Sequence, residues 1–179
     1  MSIIEELSKL KKDEEPLRLD FKAYQNMDSN DGIDHIRIDR HAVTTLGKNL
    51  CVDYVRVFYH PEYGSFVSIQ AAIEWLKLKH KDENVRSLSG LQLEEYIKKE
   101  ISEGRNYYET KMIKDEDMAS IIFYSLVSKP ELLEMLDSNK LPFCYYFVVG
   151  DGYAKVQHIH YTNMLTRVVP YVLNQKSIH

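Results

Sequence analysis

The sequence predicts an α+β fold, a single helix-rich domain with a small central sheet. Apolar residues recur at the three- and four-residue spacing of amphipathic helices along most of the chain, and only two runs are rich enough in Val, Tyr and Phe to predict strands. The chain has 179 residues, of which 44% are hydrophobic. That content is enough to bury one substantial core, so one globular domain is expected.

The N-terminal segment is predicted to be an accessory helix over residues 1–16, outside the globular domain at 33–175. Ser2 can cap this helix, which carries apolar residues at helical spacing. These are Ile3, Ile4, Leu7 and Leu10. Residues 26–32 (NMDSNDG) are dense in turn formers and predict a loop, so the first ordered core segment is expected at 35–39.

Two apolar runs predict strands. Residues 51–60 (CVDYVRVFYH) are rich in Val, Tyr and Phe and end before Pro61 and Gly64, as a strand followed by a turn would. Residues 142–149 (PFCYYFVV) are too apolar for a surface loop and predict a buried strand. A turn at Gly150-Asp151-Gly152 is expected to terminate it.

Helical periodicity predicts five further helices. The first follows residues 51–60, with Ser65 or Ser68 as its cap and an inner face built from Ile69, Ala72, Ile73 and Leu76. Pro170 is expected to kink or end the last one. The remaining helices are predicted at 91–101 with Gly104 as the stop, at 115–127, at PELLEMLD from Pro130, and at 162–173.

Charge and cysteine usage restrict the function classes. With 27 acidic and 23 basic residues, the chain lacks the global positive field that binds nucleic acid non-specifically, so any such contact must be local. Cys51 and Cys144 lie in apolar runs, which predicts buried thiols and a reducing compartment. No run has the apolar length of a signal peptide or a membrane span, so the cytoplasm is expected and a membrane partner is not.

A helix motif carries a family resemblance. Residues 68–77 (SIQAAIEWLK) resemble the NADAR helix motif, in which a Thr/Ser-capped helix carries a Glu-His pair, then a Gln, then a Lys. In that register, Gln70 stands at the Glu position, Ala71 at the His position and Glu74 at the Gln position. Lys77 is the one motif residue that is kept.

Other short segments resemble the same family and fall in the same order. Asn49-Leu50 is similar to its Asn-Phe segment, and residues 129–132 (KPEL) are similar to its pre-terminal helix. Gly150-Asp151-Gly152 resembles its Trp-Gly-Asp/x-Gly turn, with Val149 at the Trp position. Asn163-Met164-Leu165 resembles the start of its last helix. The resemblance covers roughly residues 36–175, and the compact chain also resembles small accessory proteins of large-genome phages.

The resemblance implies an α/β core around an ADP-ribose pocket, and removal of ADP-ribose from modified guanine or cleavage of a related N-glycoside, without a cofactor. Lys77 would be the covalent nucleophile that forms a Schiff base with the opened sugar, and Glu74 or Asp151 would carry the proton. The predicted substrate contacts are Asn49, Gln70, Gly150, Gly152 and Asn163.

The residue chemistry leaves alternatives beside each of these roles. A nucleophilic Lys77 must lose its proton, which a carboxylate three residues away opposes, so Lys77 and Glu74 could equally be a solvated ion pair. Gln70 cannot titrate. The 150–152 turn could approach a phosphate or be a simple tight turn, and Asn163 is expected to cap its helix.

A second function class is a binding protein that has lost the family's catalytic Glu, His and Trp. It would occupy a partner such as a host defence toxin, in the host cytoplasm if a phage encodes it, through the N-terminal helix and exposed tyrosines.

His158 and His160 lack a recognisable third ligand, so no metal site is predicted. The sequence contains no G-x-S-x-G, P-loop or G-x-G-x-x-G motif.

Overall fold

The computed structural model describes residues 5–6, 23–25, 27–149, 153–157 and 159–176. It is a mixture of helices and two small sheets, which confirms the α+β class. The chain divides into two compact units. Of the described residues, the first unit contains 5–6 and 52–129, and the second joins those from 23 to 51 with those from Pro130 onward. The predicted domain at 33–175 takes in segments of both units.

The elements follow one another as short strands and mostly longer helices. In chain order they are β1 (Ala23–Gln25), β2 (Ile36–Arg37), α1 (Thr45–Asn49), β3 (Phe58–His60), β4 (Gly64–Phe66), α2 (Ile69–Lys77), α3 (Gly90–Ser102), α4 (Asp115–Val127), α5 (Pro130–Ser138), β5 (Phe143–Val149), β6 (Tyr153–Gln157) and α6 (His160–Lys176), with 3-10 turns at Met27–Asn30 and Glu83–Ser87.

The first unit is a β3–β4 hairpin packed on helices. The two strands are antiparallel, with Phe58 opposite Phe66, and both rings are buried. Helix α2 begins where Ser68 accepts a hydrogen bond from the N–H of Ala71 at 3.1 Å, so Ser68 rather than Ser65 is the cap. Helix α4 packs against β3 and α2 and closes the core.

The strand predicted at 51–60 is wrong in extent, because only its last three residues are extended in a sheet. Arg56 points inward, where its Nε donates to the hydroxyl of Ser125 at 3.0 Å, and Val55 and Val57 point outward. The composition of the run suited a strand, but two of its valines, Val55 and Val57, do not face the core. Strand β4 was not predicted; it follows a turn that Gly64 completes with φ +85°.

The helices predicted in the middle of the chain are confirmed. Helix α3 covers the predicted 91–101 segment, and Gly104, with φ +72°, lies just beyond its end as expected. Helices α4 and α5 have the predicted positions, and Pro130 occupies the first turn of α5. These segments were predictable because each has its own apolar face or start signal.

The second unit contains a four-stranded sheet in the order β1-β6-β5-β2. Strand β6 is antiparallel to both neighbours, whereas β2 is parallel to β5. The predicted strand at the end of the PFCYYFVV run is confirmed as β5, but it is only half-buried, because Phe147, Val148 and Val149 are each more than a third exposed. Cys144 and Cys51 are buried thiols, as expected.

Helix α6 differs from its prediction at both ends. It begins at His160, and it continues through Pro170 to Lys176, so Pro170 does not end it. Asn163 lies in the first turn, where its N–H donates to the carbonyl of Ile159, and therefore it is not the cap. Of the predicted N-terminal helix, Glu5 and Glu6 are helical, and its other residues lie outside the described ones.

A buried carboxylate fixes the segment between β2 and α1. Asp31 accepts hydrogen bonds from the N–H groups of Arg37 at 2.9 Å and Val43 at 2.6 Å. Helix α1 then starts at its cap Thr44, whose hydroxyl accepts from the N–H of Gly47. This arrangement brings Gly47 directly against the backbone of β2.

We predict that Gly47→Ala destabilises the second unit. An added Cβ would lie 2.0 Å from the carbonyl oxygen of Arg37, so the strand and helix would have to separate. We expect the free energy of unfolding in urea to fall by about 1–3 kcal/mol or more, the usual effect of overpacking. Lys48→Ala, on the exposed side of the same helix, should change it by less than about 0.5 kcal/mol. Equal stability of the two variants would contradict the prediction.

Candidate functional site

Helix α2 brings a polar stripe to the wall of a cavity in the first unit. The cavity has a volume of about 480 Å³, and Gln70 and Glu74 lie on its α2 side. Buried Leu93 and Ile97 of α3 form its apolar floor. The other described residues that line it are Glu94, Lys98, Ile101, Ser102 and Tyr108. Its size falls within the usual range for small-molecule sites.

Glu74 is the centre of the polar groups beside this cavity. Its Oε1 accepts from the Lys77 ammonium at 2.9 Å, and its Oε2 accepts from the Tyr108 hydroxyl at 2.7 Å. The same ammonium lies 4.6 Å from the centre of the Tyr108 ring. The side chains of Lys77 and Glu74 are each only 18% exposed, so the pair is mostly removed from water rather than solvated.

Tyr108 is held in its protonated form. Burial of the hydroxyl, and then its hydrogen bond to Glu74, raise the pKa of Tyr108 well above the ordinary value for tyrosine. The phenol therefore stays a donor and fixes one oxygen of the carboxylate. The other oxygen is left facing Lys77.

Gln70 links the two helices that form the cavity walls. Its Oε1 accepts from the N–H of Gly90 at 2.7 Å, at the start of α3, and its Nε2 lies 3.5 Å from a carboxylate oxygen of Glu94. The side chain thus satisfies one of the unpaired N–H groups at a helix start. Gln70 lines the cavity, and its carbonyl is already used in this helix contact.

The structure brings three of the eight predicted site residues together, namely Gln70, Glu74 and Lys77. Asn49 and Asn163 belong to the second unit, where the Asn49 side chain donates to the carbonyl of Thr45 at 2.8 Å. Gly150, Asp151 and Gly152 lie outside the described residues. The joint site that the sequence predicts from all eight stays a prediction.

Sequence reasoning did not select Tyr108 or Glu94 as site residues. Tyr108 lies after the end of α3 and reaches Glu74 because its segment forms a β-bridge to Leu78. Beside this bridge, the carbonyl of Lys77 accepts from the N–H of Glu109 at 2.8 Å. The Tyr107-Tyr108 pair is visible in the sequence, but no local pattern indicates which helix it would contact.

A buried histidine and serine in the first unit resemble part of a nucleophilic site without forming one. The Nδ1 of His60 accepts from the N–H groups of Glu62 and Tyr63 at 3.2 and 3.3 Å, so its proton lies on Nε2. Nε2 therefore donates to the Ser120 hydroxyl at 2.9 Å and cannot take its proton. Both side chains are 1% exposed, so the pair is structural.

Neither a metal centre nor a membrane span is found in the part of the chain that the structure describes. No three or more His, Cys, Asp or Glu side chains there are grouped so that they could hold a metal ion. His158 lies outside that part. No described helix has the length and apolar character needed to cross a membrane.

Comparison with protein-family models, with curated proteins and with solved structures finds no match to this chain. The resemblance to the NADAR family therefore stays a prediction.

We predict that His60 makes the stability of the fold depend on pH. Burial lowers the pKa of His60 below the ordinary value of 6.5, although Asp117 acts in the opposite direction. Below about pH 6.5 the unfolded chain binds a proton that the folded chain does not, so stability falls as the pH drops towards the lowered pKa. Each unit of that lowering is worth about 1.4 kcal/mol.

The measurement is the Tm of wild type and of His60→Asn between pH 7.5 and 5. The variant should lose part of the wild-type decline, because asparagine does not titrate. His41→Asn, which replaces an exposed histidine, should retain it. An identical pH dependence in wild type and His60→Asn would show that His60 does not contribute.

Proposed function

We propose that the first unit is a NADAR-like glycosidase that removes ADP-ribose from modified guanine or cleaves a related N-glycoside. Lys77 is the covalent nucleophile and Glu74 carries the proton. One observation supports this most strongly: the Glu74 carboxylate, at the wall of a 480 Å³ cavity, accepts hydrogen bonds from both Lys77 and Tyr108. The proposal uses residues of the first unit alone.

The first step is a proton transfer within the ion pair. Lys77 rests as an ammonium paired with Glu74, and an ammonium has no lone pair for attack. Transfer of one proton across the 2.9 Å contact gives a neutral amine and a neutral carboxylic acid. The cavity favours this transfer when a substrate displaces water, because removing water penalises the charged pair more than the neutral one.

The amine of Lys77 then attacks the anomeric carbon of the ribose. A carbon–nitrogen bond forms, the bond to guanine breaks, and the base leaves with the electron pair and takes the proton from Glu74. The ring oxygen next leaves the same carbon and takes one proton from the lysine nitrogen, which gives a protonated Schiff base. Addition of water returns the ammonium of Lys77 and releases the free sugar aldehyde.

Tyr108 acts as a positioning residue in this scheme. Its hydroxyl donates to Oε2 of Glu74, so that Oε1 faces the lysine nitrogen. The Glu94 carboxylate also lines the cavity and can accept hydrogen bonds from sugar hydroxyls. The apolar floor of Leu93 and Ile97 suits the flat faces of a base or sugar.

We predict that borohydride traps a covalent adduct on Lys77 when the protein is incubated with ADP-ribosylated guanosine. Reduction of the Schiff base adds the mass of the sugar moiety to the peptide that contains Lys77, as read by mass spectrometry. Lys77→Ala should give neither adduct nor turnover, and Glu74→Gln should lower turnover by about 10²- to 10⁴-fold, the usual worth of a positioned acid or base.

Lys79→Ala is the matched control, since Lys79 also pairs with a glutamate but lies on the exposed surface. It should react like wild type. Circular dichroism should report the same fold for all variants. The glycosidase proposal fails if wild type yields no adduct and no released guanosine, or if Lys77→Ala turns over substrate at the wild-type rate.

A second candidate function is a binding protein that occupies a toxin, and an exposed row on one face of the first unit favours it. Val55, Val57 and Tyr59 alternate with buried residues and are 64–66% exposed. Apolar side chains in a row on the surface mark an interface more often than scattered ones do. In this alternative the partner is a DNA-modifying ADP-ribosyltransferase.

We predict for this alternative that calorimetric titration with a purified ADP-ribosyltransferase toxin gives a one-to-one complex. Val57→Asp should weaken it by at least about 10-fold, because a charge would be desolvated at the contact. Val43→Asp, at another exposed valine, and Lys77→Ala should leave the affinity unchanged. No binding by wild type, or full binding by Val57→Asp, would exclude a toxin contact through this row.

A further inference from the structure

The second unit contains its own cavity, of about 620 Å³, between helix α6 and the segment that joins α5 to β5. Its described lining combines apolar and polar side chains and includes one proline inside a helix. These residues are Leu136, Asp137, Asn139, Lys140, Leu141, Pro142, Phe143, Thr166, Val169, Pro170, Leu173 and Asn174. None of them was selected from the sequence as a site residue.

Helix α6 places a proline at the wall of this cavity. Thr166, Val169, Pro170 and Leu173 lie at helical spacing on the side that lines it. Proline has no N–H, so Pro170 cannot supply the bond that the carbonyl of Thr166, four residues earlier, would receive in an ordinary helix. Because both residues line the cavity, the interrupted helical bond lies at its wall.

Three of the other polar side chains at the cavity have partners within the protein. The Asn139 side chain donates to the carbonyl of Leu141 and accepts from its N–H, and the Lys140 ammonium donates to the carbonyl of Asp137. The Thr166 hydroxyl donates to a carbonyl in its own helix. The carbonyl of Thr166, which receives no hydrogen bond from Pro170, is an acceptor. A ligand that binds to it must therefore donate a hydrogen bond.

The charge and surface of the lining restrict the ligand further. Asp137 and Lys140 are of opposite sign, so the cavity has no net charge that would select an ion. Leu136, Phe143 and Val169 give it an apolar wall. A volume of 620 Å³ lies in the middle of the range found for small-molecule sites.

We infer that this cavity binds a small, neutral, mainly apolar molecule that carries one N–H or O–H donor, and that this donor bonds to the carbonyl of Thr166. The inference concerns the second unit alone and does not depend on the glycosidase proposal. Placing a proline inside the helix lowers stability by about 3 kcal/mol in a typical helix, and a ligand donor recovers part of that loss.

Indole and 1-methylindole test this directly, because they share an apolar ring and differ in the single N–H. Each is titrated into 15N-labelled full-length protein, and the amide shifts of residues around the cavity give the Kd. Wild type should bind indole about 2- to 10-fold more tightly than 1-methylindole, the weight of one neutral hydrogen bond. The shifts should centre on residues 166–174.

Pro170→Ala is the decisive variant, because alanine restores the N–H that bonds to Thr166, and position 170 is exposed, so the fold should survive. In this variant the preference for indole should disappear, with indole binding no better than 1-methylindole. Leu173→Trp, which fills the cavity, should abolish binding of both.

Three results would overturn the inference: equal affinity of wild type for the two compounds, an unchanged preference in Pro170→Ala, or shifts confined to residues away from the cavity.

Discussion

The candidate site depends on one carboxylate, that of Glu74, which accepts from an ammonium and a phenol at the same time. Lys77 and Glu74 are mostly buried, and a buried charge is tolerated only when it is paired. Removing the carboxylate would leave the Lys77 ammonium without this partner in a poorly hydrated place, and the Tyr108 hydroxyl would lose its acceptor. The positions of the Lys77 ammonium and the Tyr108 hydroxyl beside the cavity therefore depend on the same carboxylate.

The parts of the fold that were predictable are those encoded locally. Helices α3, α4 and α5 carry their own apolar periodicity, and Ser68, Gly104 and Pro130 mark ends by their individual backbone chemistry. The run at 51–60 misled because composition does not say which side faces inward. In that run the polar side chains of Arg56 and His60 are buried. Their hydrogen bonds to serines of α4 stabilise this arrangement.

The same distinction applies to the site. Gln70, Glu74 and Lys77 could be placed on one side of a helix from their spacing alone, since that geometry is a property of the helix. Tyr108 could not, because its position follows from the path of the chain after Gly104 and from a bridge to Leu78.

Two buried polar side chains, Arg56 just before β3 and His60 at its end, also affect how the strand is aligned with its neighbours. Arg56 donates a hydrogen bond to Ser125 and His60 donates one to Ser120, so both side chains are attached to α4. Slippage by a single residue would turn Arg56, Phe58 and His60 outward and would break both hydrogen bonds. The two serine hydroxyls therefore act together with the buried Phe58–Phe66 pair to favour the observed alignment of the hairpin.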